Sequence, residues 1–240
     1  MKIIIVKDYT ELSAIAAKMI EEVLRSVQNP VLSLATGSTP IGTYENLVNA
    51  YKQNKISFKN AVTLNLDEYV GIAPTDKNSY RSFMNNNLFD RVDIVKSNTH
   101  LPDGTAADLD MECKRYSALL EKYPRDLQLL GLGCNGHIGF NEPGTPFDSV
   151  THVVELTADT VRANSRLFAD GIVPRRAVTM GIKEITAARS IVMLASGANK
   201  ARAVYNMVKG SVDIDCPASV LQNHGNVTLI ADREAAHEIV

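Results

Sequence analysis

The sequence predicts an α/β fold, with a mostly parallel sheet, helices on both faces and a single domain over residues 1–240. Three observations lead there. Short apolar runs recur along the chain, several without the polar alternation of a half-exposed strand, as strands buried on both faces require. Longer stretches of helical period lie between them. No internal repeat, low-complexity tract or Gly/Ser linker divides the 240 residues, a length that one core can fill. Together these define the doubly wound, Rossmann-like class.

The elements follow in order. Ile3 to Val6 is the first apolar run. Tyr9 to Gln28 then places Leu12, Ile15, Ala16, Met19, Ile20, Val23, Leu24 and Val27 at three-and-four spacing, a helix with one buried face. Further strands are expected at Val31 to Ala35, Ala61 to Leu66, Leu127 to Leu132, His152 to Leu156, Ala177 to Met180, Ile191 to Ala195 and Val227 to Ile230. Helical patterns fall at Ile41 to Asn54, Ser79 to Leu88, Asp108 to Lys122, Asp159 to Leu167 and Asn199 to Val208. The irregular segments Gly71 to Asn78 and Asn141 to Val150 read as loops above the sheet. Ligands of open α/β sheets sit beyond the carboxyl ends of the strands, so the residues there carry the functional reading.

Lys and Arg total 25 against 27 Asp and Glu, a net charge of -2, which offers no general attraction to nucleic acid or to an anionic membrane. An anionic ligand must therefore be held by a few placed groups. Cys113, Cys134 and Cys216 are odd in number and far apart, with no C-x-x-C pair and no zinc-ligand spacing, which suits a reducing cytoplasm and no structural metal. The opening apolar run is too short for a signal peptide and is followed at once by Lys7-Asp8, and no run approaches a membrane span.

Four constellations can carry chemistry. Ala35-Thr36-Gly37-Ser38-Thr39-Pro40 follows a strand and precedes a helix: glycine permits close backbone approach, Ser or Thr can cap, and free N–H groups can face an anion. The alternative is an ordinary capped turn, and the pattern is neither of the glycine-rich nucleotide motifs. Asn65-Leu66-Asp67-Glu68-Tyr69 ends a strand with adjacent acids, which point to opposite sides of an extended chain; one can enter a site as general base while the other pairs elsewhere. Gly131 to Gly144 sets His137 among close-spaced glycines with Glu142 five residues on, a pattern suited to crowding a ligand and to an imidazole held by a carboxylate. Arg166 and Lys200 are the isolated cations, Lys200 in the opening turn of a helix after a strand, where an ammonium and N–H groups can share a phosphate.

Thr36-Gly37-Ser38-Thr39-Pro40, Asn65 to Tyr69 and Gly133-Cys134-Asn135-Gly136-His137-Ile138-Gly139-Phe140-Asn141-Glu142-Pro143 together resemble the glucosamine-6-phosphate deaminase family. The similarity runs from Leu32 to Asn223, through Ser79-Tyr80, Ala163-Asn164-Ser165-Arg166 and Ser219-Val220-Leu221-Gln222. The Asn-Glu-Pro ending separates it from the related 6-phosphogluconolactonases, which share the Gly-x-Gly-x-Asp-Gly-His core but usually continue Ser-Leu-Phe-Pro. The resemblance implies a cytoplasmic enzyme that converts glucosamine 6-phosphate and water to fructose 6-phosphate and ammonia, without metal or organic cofactor. It implies that Asp67 moves a proton from C2 to C1, that His137 opens the sugar ring with Glu142 orienting and charging it, and that Thr36, Gly37, Ser38, Thr39, Arg166 and Lys200 contact phosphate and hydroxyls.

Two departures from the family bear on this. Many members carry Asp at the position of Asn135; an amide still orients imidazole but supplies no charge, so Glu142 is expected to carry more of that burden. The chain ends at Val240, shorter than members activated by N-acetylglucosamine 6-phosphate, and Thr151-His152-Val153-Val154 lacks their paired cations. An enzyme without that activation, and a monomer, are the expectations. The rival enzyme is a lactonase or isomerase on the same scaffold, which would release no ammonia. The rival binding protein is a sugar-phosphate sensor, which would have little need of Asp67, His137 and Glu142 together.

Overall fold

The computed structural model describes residues 1–157, 160–162, 168 and 173–240. The helix expected at Asp159 to Leu167 is met by a helical turn at 160–162, and the remainder of it, Arg166 included, lies outside the described residues.

The strands are β1 (Lys2–Val6), β2 (Val31–Leu34), β3 (Val62–Asn65), β4 (Asp67–Tyr69), β5 (Thr99–His100), β6 (Leu127–Gly131), β7 (His152–Glu155), β8 (Arg176–Thr179), β9 (Ile191–Ala195) and β10 (Val227–Asp232). The α-helices are α1 (Tyr9–Ser26), α2 (Ile41–Lys52), α3 (Tyr80–Asn87), α4 (Leu109–Lys122), α5 (Ile182–Thr186) and α6 (Ala201–Lys209). Local chemistry starts three of them. Asp8 accepts from Glu11 N at 3.0 Å ahead of α1, Ser79 from Ser82 N at 3.0 Å ahead of α3, and Asp108 from Met111 N at 2.9 Å ahead of α4, each satisfying an orphan donor of the first turn.

Among the described residues, seven strands form one sheet in the order β1-β10-β9-β6-β2-β3-β5, every neighbouring pair parallel. Alternation along each strand divides its side chains between two cores. Leu32, Leu34, Leu127, Leu129, Val192, Leu194 and Ile230 meet α1, α2 and α3 on one face. Leu64, Leu130, Ile191, Met193, Leu229 and Ala231 meet α4, α5 and α6 on the other. Runs such as Ile191–Ala195 are apolar throughout because both faces are covered.

The expected strands at His152 to Leu156 and Ala177 to Met180 exist but do not join this sheet. With β4 they form a separate antiparallel sheet, order β4-β8-β7, in which Asp67 faces Thr179 and His152 faces Thr179 from the other side. The strands' own burial does not mark this: β7 is half-exposed, but so is edge strand β1 of the parallel sheet, and β8 is mostly buried, so it is the pairing with β4 that sets them apart. No helix among the described residues is long and apolar enough to cross a membrane.

Leu194 is 1% exposed at the centre of the parallel sheet. Leu194→Ala is expected to lower unfolding free energy by about 2–5 kcal/mol in urea denaturation, through lost burial and an unfilled cavity.

Candidate active site

The order of the parallel sheet reverses direction between β2 and β6. From β2 the chain moves to β3 and β5 on one side, then returns to β6 on the other. A crevice opens at such a reversal beyond the carboxyl ends. The segments at the ends of β9, β6, β2 and β3, four successive neighbours, carry Lys200, Asn135 to Glu142, Thr36 to Thr39 and Asp67 respectively. Every site residue named from the sequence and described in the structure thus lies at one end of the sheet.

Thr36 to Thr39 form the turn between β2 and α2, with Gly37 at φ 90°. No Ser or Thr caps the helix: Pro40 itself is the N-cap residue, without a side-chain cap hydrogen bond. The turn is held instead by tyrosines. Tyr9 Oη donates to Ser38 O at 3.2 Å and accepts from Gly42 N at 2.9 Å, and buried Tyr44 donates to Ala35 O. Thr36 meets the Tyr80 hydroxyl through its side chain, whereas the Ser38 and Thr39 hydroxyls take part in no hydrogen bond with a described residue.

The adjacent acids do part company. Glu68 turns to α3 and accepts from Tyr69 N at 3.0 Å, Tyr80 N at 2.9 Å and Arg81 N at 2.9 Å, so a buried carboxylate meets the opening N–H groups of a helix. Asp67 turns the other way. It is buried, accepts no hydrogen bond from a described residue, and has its carboxyl pushed up to about 8, first by burial and then by the charge of Glu68. Tyr116 steadies the approach to it, donating from a fully buried hydroxyl to Asn65 O at 2.6 Å.

The loop after β6 folds around His137. A Cβ at Gly133 would lie 2.4 Å from His137 Cγ and Nδ1, so only glycine leaves room for the imidazole. Gly139, at φ 58°, passes close to Asp67: a Cβ there would lie 3.6 Å from Asp67 Oδ2 and 2.9 Å from Thr179 Oγ1. This approach puts the His137 loop and the Asp67 carboxyl on one wall.

Asn135, His137 and Glu142 form a closed set. Asn135 Nδ2 donates to Glu142 Oε2 at 2.7 Å, leaving Asn135 Oδ1 to accept from His137 Nδ1 at 2.8 Å and His137 N at 3.2 Å. Glu142 Oε2 lies 3.5 Å from His137 Nδ1. An amide donating to a carboxylate presents its oxygen to the ring, so Nδ1 carries the proton and Nε2 is left as the acceptor. Burial alone would raise the Glu142 carboxyl; donation and charge from His137, with donation from Thr160 and Asn135, outweigh it and hold the group down at about 2.

Lys200 ends a short 3₁₀ turn after β9, and its Nζ reaches Cys134 Sγ at 3.2 Å, beside Asn135. Asn199 Nδ2 reaches the same sulfur at 3.3 Å. Among the described residues no three His, Cys, Asp or Glu side chains could hold a metal ion.

Three features escaped the sequence. Thr157 and Thr160 both reach Glu142 Oε1, at 3.3 and 2.6 Å; their spacing ahead of a helical pattern is a capping signal, not a site signal. Cys134 as a partner of Lys200 had none. Tyr69, Tyr80, Phe140 and Phe168 build an aromatic wall next to Asp67, with Tyr69 and Tyr80 centroids 4.7 Å apart and Tyr80 Oη donating to Tyr69 Oη at 3.2 Å. These residues come from four separate segments.

Asp67 generates a stability prediction with a definite sign. Its unfolded carboxyl ionises near 3.8 and its folded carboxyl near 8, so folding takes up a proton between those values and the stability Asp67 allows falls as pH rises from about 4 to 8. Asp67→Asn is expected to raise the melting temperature at pH 8 and to leave it nearly unchanged at pH 4, as read by calorimetry at both pH values.

Comparison with known proteins places the chain. The model of the family described as glucosamine-6-phosphate isomerases/6-phosphogluconolactonase matches residues 8–230. A glucosamine-6-phosphate deaminase of a Thermoanaerobacter species is 48% identical over 98% of this chain and 94% of its own length. The deaminase of Oceanobacillus iheyensis is 48% identical over 100% of this chain and 96% of its own. A solved structure of a monomeric glucosamine-6-phosphate deaminase superposes with a TM-score of 0.96 at 45% identity, covering 99% of each chain. By its sequence from end to end and by the backbone that carries its site, the chain belongs to the glucosamine-6-phosphate isomerase/6-phosphogluconolactonase family and stands with the deaminases within it.

Proposed function

We propose that the chain converts glucosamine 6-phosphate and water to fructose 6-phosphate and ammonia. The observation that carries this reading is a division of labour: a buried, donor-free carboxyl at Asp67 and an imidazole at His137 whose Nδ1 is already committed, joined across the Gly139 approach. One carbon-bound proton and one ring oxygen need two such groups.

His137 Nε2 takes the proton of the C1 hydroxyl and delivers one to the ring oxygen, opening the pyranose. Glu142 and Asn135 hold the ring by Nδ1, and Glu142, ionised, stabilises the imidazolium that forms on the way. This assigns to Glu142 the charge that Asn135 lacks. Asp67 in its ionised form then removes the C2 proton and returns it to C1, passing through an enolamine to a ketose imine. A group that titrates near 8 is basic enough to take a carbon-bound proton and is still ionised in part at neutral pH. Water adds to the imine at C2 and the C–N bond breaks, releasing ammonia. These are acid–base steps, and the proposal includes no metal or organic cofactor.

The phosphate is assigned to the crevice beyond the carboxyl ends of β2, β6 and β9. Backbone N–H groups of residues 36–39 and the hydroxyls of Ser38 and Thr39 are assigned to it on one side, with Thr36 held beside them by Tyr80, and Lys200 on the other, with Arg166 assigned to it from outside the described residues. Binding energy from this group, remote from C1 and C2, aligns the reacting carbons.

Three further assignments complete the reading. The chain acts as a monomer, as the solved relative of 45% identity is described to be. It works in the cytoplasm, which the three free thiols favour. It is not activated by N-acetylglucosamine 6-phosphate, because residues 151–154 carry no cation pair.

The direct test measures ammonia and fructose 6-phosphate from glucosamine 6-phosphate with a chelator present, for wild type, Asp67→Asn and His137→Gln. Equal amounts of the two products are expected from wild type, with losses of about 100-fold or more in each variant. A folded wild type that makes no ammonia returns the assignment to lactone or isomerase substrates. Rate against substrate is expected to be hyperbolic and unmoved by added N-acetylglucosamine 6-phosphate; a large drop in half-saturation on adding it overturns the assignment of an unregulated enzyme.

A further inference from the structure

The two oxygens of Glu142 face different parts of the protein. Oε2 serves the relay, accepting from Asn135 at 2.7 Å beside His137. Oε1 is met by Thr160 Oγ1 at 2.6 Å and Thr157 Oγ1 at 3.3 Å. The direction of these bonds is forced. An ionised carboxylate only accepts, so the one proton of the Thr160 hydroxyl goes to Glu142, and Thr160 Oγ1 can only accept from Thr157 Oγ1, 3.0 Å away. Thr157 Oγ1 accepts in turn from Thr160 N at 3.3 Å, closing the turn, and Val161 N donates to Thr157 O at 2.9 Å. Thr160 is 8% exposed, so water does not readily replace its hydroxyl.

A carboxylate gripped at one oxygen cannot spin about its last bond. Fixing Oε1 therefore fixes where Oε2 points, which decides whether Asn135 turns its amide nitrogen to Glu142 and its oxygen to the imidazole. The threonines lie just beyond β7, which pairs with β8, which pairs with β4 and Asp67. One antiparallel sheet thus carries the carbon base on its first strand and the grip on Glu142 just past its last.

We propose that Thr160, supported by Thr157, is a positioning residue for the ring-opening relay, setting the carboxylate of Glu142 so that His137 presents Nε2 to the sugar. The inference rests on the deaminase reading. It touches neither phosphate binding nor the C2 proton, so its effect falls on turnover and spares affinity for a substrate form that is already open.

The experiment compares Thr160→Val and Thr160→Ser with wild type in steady-state kinetics on glucosamine 6-phosphate. Binding of 2-amino-2-deoxyglucitol 6-phosphate, a reduced open-chain analogue, is measured by calorimetry. For Thr160→Val, kcat is expected to fall about 10-fold, the loss of one hydrogen bond to a charged group, with KM and analogue affinity within about twofold of wild type. Thr160→Ser, which keeps the hydroxyl, is expected to recover at least about half of kcat. A Thr160→Val kcat within about twofold of wild type overturns the proposal, as does a fall that Ser does not repair or that weakens the analogue equally. Should Thr160→Val not fold, Thr157→Val carries the same test with an expected kcat loss of about 3-fold, and an unchanged kcat overturns the proposal. Absence of ammonia from wild type is a separate outcome, which removes the deaminase reading itself.

Discussion

The reversal of strand order between β2 and β6 is the constraint on which the rest depends. The chain leaves β2 toward α2, whose Tyr44, Leu47 and Val48 belong to one core, whereas Leu132 and Ile138 of the loop after β6 belong to the other. Two neighbouring strands send their connections to opposite faces, and a reversal of this kind opens a crevice beyond their carboxyl ends. The Thr36 turn and the His137 loop form the edges of that gap. Strand β9 beside β6 brings Lys200, and β3 beside β2 brings Asp67, because parallel pairing sets all carboxyl ends at one side of the sheet.

The small antiparallel sheet is what makes the gap a catalytic site. It is tied to the parallel sheet where Met180 N donates to Leu66 O at 2.7 Å, and its central strand receives Phe140 N on Thr179 Oγ1 at 3.1 Å. The His137 loop is thereby pinned against the strand that pairs with Asp67. Asn141 adds a second tie, donating to Ile138 O and Met180 O at 2.8 and 2.9 Å. A site built on two sheets and one Gly-rich loop keeps its proton-transferring groups fixed while leaving their working faces open.

Two carboxylates next to each other in sequence show how the site uses stability. Glu68 is buried with three N–H donors, which compensate part of its desolvation. Asp67 is buried with none from the described residues, and the uncompensated cost appears as a carboxyl that titrates near 8. Supplying donors to Asp67 would stabilise the fold and make it a poorer base, the usual opposition between stability and function at a reacting centre. Glu142 is the opposite case: against the cost of burial, donation from His137, Thr160 and Asn135 and the charge of His137 hold its carboxyl down at about 2, which suits a group that must remain ionised while the imidazole changes charge.

By itself the sequence determined the parallel sheet, its helices and the main site. Short continuous apolar runs such as Ile191–Ala195, alternating with helical patterns, read as strands covered on both faces, and glycines crowded around one His read as backbone brought close to a ring or a ligand. Both signals are local, so they survive without knowledge of the fold. Only the tertiary structure decided that His152 to Glu155 and Arg176 to Thr179 form a second sheet with Asp67 to Tyr69, because pairing partners distant in sequence leave no mark on the strands themselves. The same holds for Thr160 on Glu142 and Cys134 under Lys200. A hydroxyl or a thiol can sit almost anywhere on a chain, and its meaning comes from what the fold brings to within about 3 Å of it.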